Sequence, residues 1–187
     1  MTTETVVDAA LEIIDSEGLA ALTLAAVAAR TGVAAPSLYK HIGGLADLRL
    51  LVAARVIAEM TDRFTAAAIG RSQDDAVAAL MREYRGYVVA HPARYAAMPV
   101  DPLHHPALAA TGTRLLNLLL AVLGGYGLSD DNAIHAVRRL RAVAHGFASI
   151  EAEGGFGLQI DLDVTYDQVI QMVVASLPRR ADSPDRP

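Results

Sequence analysis

The chain predicts an all-α fold of about nine helices, three short ones at the N-terminus followed by a larger helical domain of about six longer ones. Three observations carry the fold class. Apolar residues recur at helical spacing in almost every segment, no alternating strand pattern of any length occurs, and glycines and prolines fall between the periodic runs. Apolar residues make up 53% of the chain and charged residues 20%, the balance of a folded protein with a sizeable core.

The first helix is expected in "TVVDAALEIIDSEG", where Val6, Ala10, Ile13 and Ile14 share a face and Asp8, Glu12 and Asp15 lie elsewhere. Gly18 is its natural stop. Thr23 is placed to cap a short second helix, "LAAVAART", which Gly32 ends. Pro36 suits the first turn of a third helix, "APSLYKHI", where its missing N–H removes no bond. Gly43-Gly44 breaks it. A long helix follows from about Leu45 to Ile69 and another from about Asp74 to His91.

Pro92, Pro99, Pro102 and Pro106 divide the next region into short pieces. A helix is then expected in "PALAATGTRLLNLLLAVLGG". Another opens with Ser129 as N-cap and Asp130-Asp131 in its first turn, where negative charge favours the helix dipole. The last lies in "TYDQVIQMVVASL", and the tail "PRRADSPDRP" reads as disordered. Domain limits follow: residues 1–46 for the helix-turn-helix, 47–178 for the larger domain, 179–187 for the tail.

Composition narrows the function. The absence of cysteine excludes disulfides and thiolate metal sites and fits a cytoplasmic protein. No signal peptide is expected from "MTTETVVDAALEII", and the longest apolar run, residues 115–127, is too short to span a bilayer, so no membrane partner is expected. The five histidines other than His41 show no i, i+4 pair, and no HExxH frame exists; no metal or other cofactor is expected. The glycine-rich "GGYG" and "EGGFG" lack a following Lys-Ser/Thr, and no GxSxG occurs, so nothing supports an enzyme.

Net charge is −5, which weighs mildly against a nucleic-acid partner. The distribution is uneven. Residues 19–46 hold Arg30 and Lys40 and no acid, and Lys40 is the single lysine of the chain. Two short helices with a tight glycine turn, braced by a preceding helix, make a helix-turn-helix, whose second helix enters the DNA major groove. Ala35, Pro36 and Ser37 are small enough for close approach to base edges. Tyr39, Lys40 and His41 carry a phenol, an ammonium and an imidazole able to reach phosphates. Leu38 and Ile42, four apart, are expected to face inward. The same pattern also fits a short amphipathic helix with a solvated lysine and a packed tyrosine.

The stretch "LTLAAVAARTGVAAPSLYKHIGGLADLRLLVA" resembles the DNA-binding domain of the TetR family of bacterial repressors. The likeness rests on the "LT" before helix two, the "LYKH" core and the "L..L" opening helix four, and it covers residues 4 to 52 or so. "AVRRLRAVAHGFASIEAEGGFG" resembles the family's Trp-His-Gly type of C-terminal domain, with Arg141 where the tryptophan usually stands. Two departures matter. Leu24 and Ala25 stand early in helix two, and Gly43 to Leu45 begin helix four, where the family often has phosphate-contacting polar or basic residues. The departures imply modest affinity and a shallow salt dependence.

The resemblance implies that the larger helical domain is a ligand-binding and dimerisation domain, with a small-molecule effector, a homodimer, and double-stranded DNA as partner, and with Thr23, Ala35, Pro36, Ser37, Tyr39, Lys40 and His41 at the DNA. Effector candidates are Tyr84, Tyr87 and His91 on helix five, and Met98 and His105, with Leu103 and His104, in the proline-broken segment. Leu116 and Leu120, with Leu119, come next, then Arg141, His145 and Phe147. Leucine and tyrosine stripes at such spacing also serve as plain core. For the dimer, Val169, Ile170, Val173, Val174 and Leu177 give an apolar stripe, and Ala142, Gly146 and Ser149 give small residues where a second backbone could approach. The stripe can equally pack within the chain. A helical small-molecule-binding protein with weakened DNA binding is the alternative to a ligand-responsive repressor on a pseudo-palindromic operator.

Overall fold

The structure is a computed structural model that describes residues 1–178; the predicted disordered tail from residue 179 lies outside them. Among the described residues it has nine α-helices and no strand. They are α1 (Thr3–Glu17), α2 (Leu24–Thr31), α3 (Ala35–Leu38), α4 (Leu45–Ala68), α5 (Gln73–Ala90), α6 (Pro92–Ala96), α7 (Ala109–Gly124), α8 (Asp130–Ala152) and α9 (Leu162–Ala175). A 3-10 turn, Leu19–Ala21, joins α1 to α2.

The chain forms two compact units. One comprises residues 1–59 and 91–113, the other residues 60–90 and the chain from 114 onward. In the first, α1 buries Val6, Ala10, Ile13 and Ile14, the face its periodicity announced, together with Val7, Ala9 and Leu11. Thr23 caps α2 by accepting the Ala26 N–H at 3.1 Å. Gly32 ends α2 in the left-handed region (φ 70°), and the Val33 N–H reaches back to the Ala28 carbonyl at 3.0 Å, closing a Schellman turn. The five-residue α6 packs on α1 and on the 3-10 turn.

In the second unit α5 lies against α8 and α9. Val77, Met81, Leu123, Phe147, Tyr166 and Ile170 belong to one buried cluster. The Tyr166 hydroxyl donates to the Met81 carbonyl at 2.7 Å, fastening α9 to α5. Arg85 lies over the rings of Phe147 (5.6 Å) and Tyr166 (5.1 Å) while its guanidinium grips Glu151 on α8 and Asp163 on α9. Those bonds, Glu151 first, hold the guanidinium pKa above its ordinary value.

Three element ends differ from expectation. α3 closes at Leu38 instead of running to Ile42, because His41 N–H bonds the Leu38 carbonyl at 2.8 Å and turns the chain so that Ile42 enters the core. Ser129 stands at the N-cap of α8 without a side-chain capping bond, although Asp130 and Asp131 occupy the first turn as read. α9 starts three residues before "TYDQ", capped by Asp161, whose carboxylate accepts the Asp163 N–H at 2.8 Å.

Candidate nucleic-acid interface

The helix-turn-helix is built from a buried hinge and an exposed edge. Leu38 is 0% and Ile42 4% exposed, so both are anchors under the turn. Ala35, Pro36, Tyr39 and Lys40 are exposed, Tyr39 at 60%, and Ser37 and His41 are half-buried. Thr23, also exposed, uses its hydroxyl oxygen as the α2 cap. The Thr3 hydroxyl donates to the His41 carbonyl at 3.1 Å, which ties the recognition turn to the start of α1. Small residues thus stand outward on α3 with a phenol and an ammonium beside them, the composition a base-edge and phosphate contact needs.

The electrostatics hold what sequence reading missed. The acids of α1 are mostly paired within the unit. Arg30 contacts Glu12 at 3.4 Å and Glu17 at 3.0 Å, Arg55 contacts Asp8 at 3.1 Å, and Arg94 makes a two-pronged bond to Asp15 at 2.8 and 2.5 Å. Arg94 also reaches Glu59 at 3.1 Å. Arg30, one of the two cations that made residues 19–46 basic, is therefore neutralised by α1. At the start of α4 the Gly43 N–H is taken by the Asp47 carboxylate at 2.7 Å. Arg55 and Arg94 lie far from Asp8 and Asp15 in sequence, so no local spacing announces these pairs.

The effector candidates separate between the units. His91, Met98 and His105 belong to the first. Tyr84, Tyr87, Leu116, Leu120, Arg141, His145 and Phe147 belong to the second. Tyr87 is buried beneath the Arg63 guanidinium (5.4 Å), and Tyr84 stacks on Phe64 (6.0 Å). Leu116, Leu119 and Leu120 pack on the buried cluster that includes Phe147. Arg141 and His145 stand on the exposed side of α8 together with Ala142 and, half-buried, Gly146 and Ser149. A groove of about 520 Å³ is lined instead by Leu128, Asn132, His135, Arg139, Ser176, Leu177 and Pro178, none of them an effector candidate.

The stripe expected at a dimer face divides. Ile170, Val173 and Leu177 are buried in the chain's own core, while Val169 and Val174 are half-exposed and the outward side of α9 presents Met172 at 59%. Among the described residues no three His, Asp or Glu side chains gather as a metal site, and no helix is long and apolar enough to cross a membrane.

Comparison with known proteins agrees with this fold. Residues 6–49 match the model of the bacterial regulatory proteins of the tetR family, and residues 77–173 that of the tetracyclin repressor-like C-terminal domain. The chain is 34% identical over 182 residues to the uncharacterized HTH-type transcriptional regulator Rv0681 of Mycobacterium tuberculosis, covering 96% of this chain and 83% of that protein. It is 32% identical to the regulator YobS of Bacillus subtilis, covering 87% and 85%. Its fold is similar to that of a TetR point variant from Acinetobacter baumannii in complex with minocycline, with a TM-score of 0.72 at 18% identity, covering 94% and 95%. The chain belongs to the TetR family of bacterial helix-turn-helix transcriptional regulators.

Proposed function

We propose that the protein is a ligand-responsive repressor, cytoplasmic and homodimeric, that binds a pseudo-palindromic operator through α3 and the turn after it. The observation that carries this is the outward set Ala35, Pro36, Tyr39 and Lys40 on a turn anchored by Leu38 and Ile42. Two such turns enter successive major grooves about 34 Å apart, one helical turn of DNA. The internal pairing of the α1 acids supports this reading over a helical binding protein that has lost DNA, because less unpaired negative charge is left to repel phosphate.

The helix-turn-helix limit at residue 46 and the larger domain from 47 to 178 belong to this proposal, as does the Trp-His-Gly subtype. The outer side of α8, with Ala142, Gly146 and Ser149, joins Val169, Val174 and Met172 of α9 to form the dimer face. The effector sits among α5, α7 and α8, beside Tyr84, Leu116 and Leu120, and favours a dimer geometry misspaced for the operator. The minocycline-bound neighbour supports a small-molecule effector of this kind.

The test is selection of duplexes from random DNA, followed by fluorescence anisotropy of wild type and Lys40→Ala. A selected palindrome bound by the wild type, with the salt slope reduced by about two in the variant, one contact per protomer, is the expected result. No enriched sequence would favour the binding protein without DNA function.

A further inference from the structure

The DNA-binding reading leaves open which groups hold the backbone, since Leu24, Ala25 and Leu45 supply no charge. The first unit contains five basic side chains: Arg30, Lys40, Arg49, Arg55 and Arg94. Three are engaged with carboxylates at 2.5–3.4 Å. Lys40 and Arg49 are exposed and have no carboxylate partner among the described residues.

Arg49 lies one turn beyond Leu45, the first residue of α4, and so shares its face. Its helical neighbours at three and four residues are Leu45, Ala46, Val52 and Ala53, none of them acidic. A long side chain on a helix tends to lie back over the preceding turn, so from position 49 a guanidinium can reach over Leu45 toward the positive end of the α4 dipole. Asp47, the acid of that first turn, is directed to the Gly43 N–H at 2.7 Å. The segment between the two free cations is braced: Ile42 and Leu48 are buried, and the His41 carbonyl is held by Thr3.

We propose, resting on the DNA-binding reading, that Arg49 is a phosphate-contacting residue that replaces the contact missing at Leu45. Lys40 and Arg49 are then the pair of cations by which each protomer grips the DNA backbone. Arg49 contributes affinity without sequence preference, because a phosphate contact carries no base information.

The experiment measures anisotropy of the full chain on its selected duplex and on random DNA over a salt series. It compares wild type, Arg49→Ala, and Arg49→Ala combined with Leu45→Lys, with thermal unfolding as the control for folding. Arg49→Ala is expected to weaken both duplexes by a similar factor and to lower the salt slope by about two per dimer. Between roughly 50 and 200 mM salt, wild-type affinity then falls about tenfold more than that of the variant. Leu45→Lys is expected to restore the slope, since a cation at either position meets the same stretch of backbone; a slope that falls in Arg49→Ala while thermal unfolding is unchanged is what a merely structural role of Arg49 would not give. An unchanged slope in Arg49→Ala, or no recovery with Leu45→Lys while the wild type binds, overturns the assignment. A wild type that binds no duplex overturns the DNA-binding reading and this assignment with it.

Discussion

Arg85→Met tests the centre of the second unit. The side chains of Arg85 and Glu151 are 16% and 14% exposed, and they meet through two hydrogen bonds at 2.5 and 2.7 Å. Methionine keeps an unbranched stem over Phe147 and Tyr166 but removes the cation. Glu151 is then left largely buried beside apolar rings without its partner. Breaking a fully buried pair costs about 3–5 kcal/mol, and the residual exposure here lowers the expectation to about 2–4 kcal/mol. Asp163, whose side chain is 80% exposed, adds little, since its carboxylate returns to water. For a chain of this size each kcal/mol moves Tm by about 2–4 °C, so the loss is about 5–15 °C. Urea and thermal unfolding of Arg85→Met, Glu151→Gln and the double variant measure it as a cycle. The double variant is expected to recover part of the Arg85→Met loss, because the stranded charge is gone. A loss below about 0.5 kcal/mol for Arg85→Met, or strictly additive variants, would refute the claim that a part-buried charge pair joins α5 to α8.

Two further outcomes are expected. Gly32→Ala places an L side chain at φ 70°, where a Cβ meets no neighbour within 4 Å, so the loss is backbone strain alone, about 1–2 kcal/mol; Gly32→Asn is expected to lose less, both read by thermal unfolding. Tyr166→Phe removes the bond to the Met81 carbonyl and lowers stability by about 1 kcal/mol at neutral pH. Burial raises the Tyr166 phenol above its ordinary pKa, so its contribution is intact below about pH 10 and is lost as pH rises through the folded-state value. The phenylalanine variant is therefore expected to show a shallower loss of stability in alkaline denaturation, and an identical alkaline profile would argue against that cause.

Local chemistry made much of the fold legible. The helical spacing of Val6, Ala10, Ile13 and Ile14, the cap at Thr23, the stop at Gly32 and the early proline of α3 each act within a few residues of chain, so one short stretch of sequence contains the whole cause. Leu38 and Ile42 both point inward as read, Leu38 from α3 and Ile42 from the turn that follows it. The stripe on α9 was legible as apolar, but not as belonging to a given neighbour: Ile170, Val173 and Leu177 meet α5, α7 and α8 residues far away in the chain.

What the amino-acid sequence alone determined is the all-α class, the helix-turn-helix and the family likeness, since propensity, capping and turn chemistry are short-range. What only the tertiary structure decided is which charges remain free to meet a partner. Arg30 and Lys40 look equivalent in sequence, yet Arg30 is held by Glu12 and Glu17 while Lys40 stands exposed. Arg94 finds Asp15 across 79 positions of chain. Coulomb attraction depends on distance in space, and only the packing of α1 against α2 and α6 brings those groups within reach.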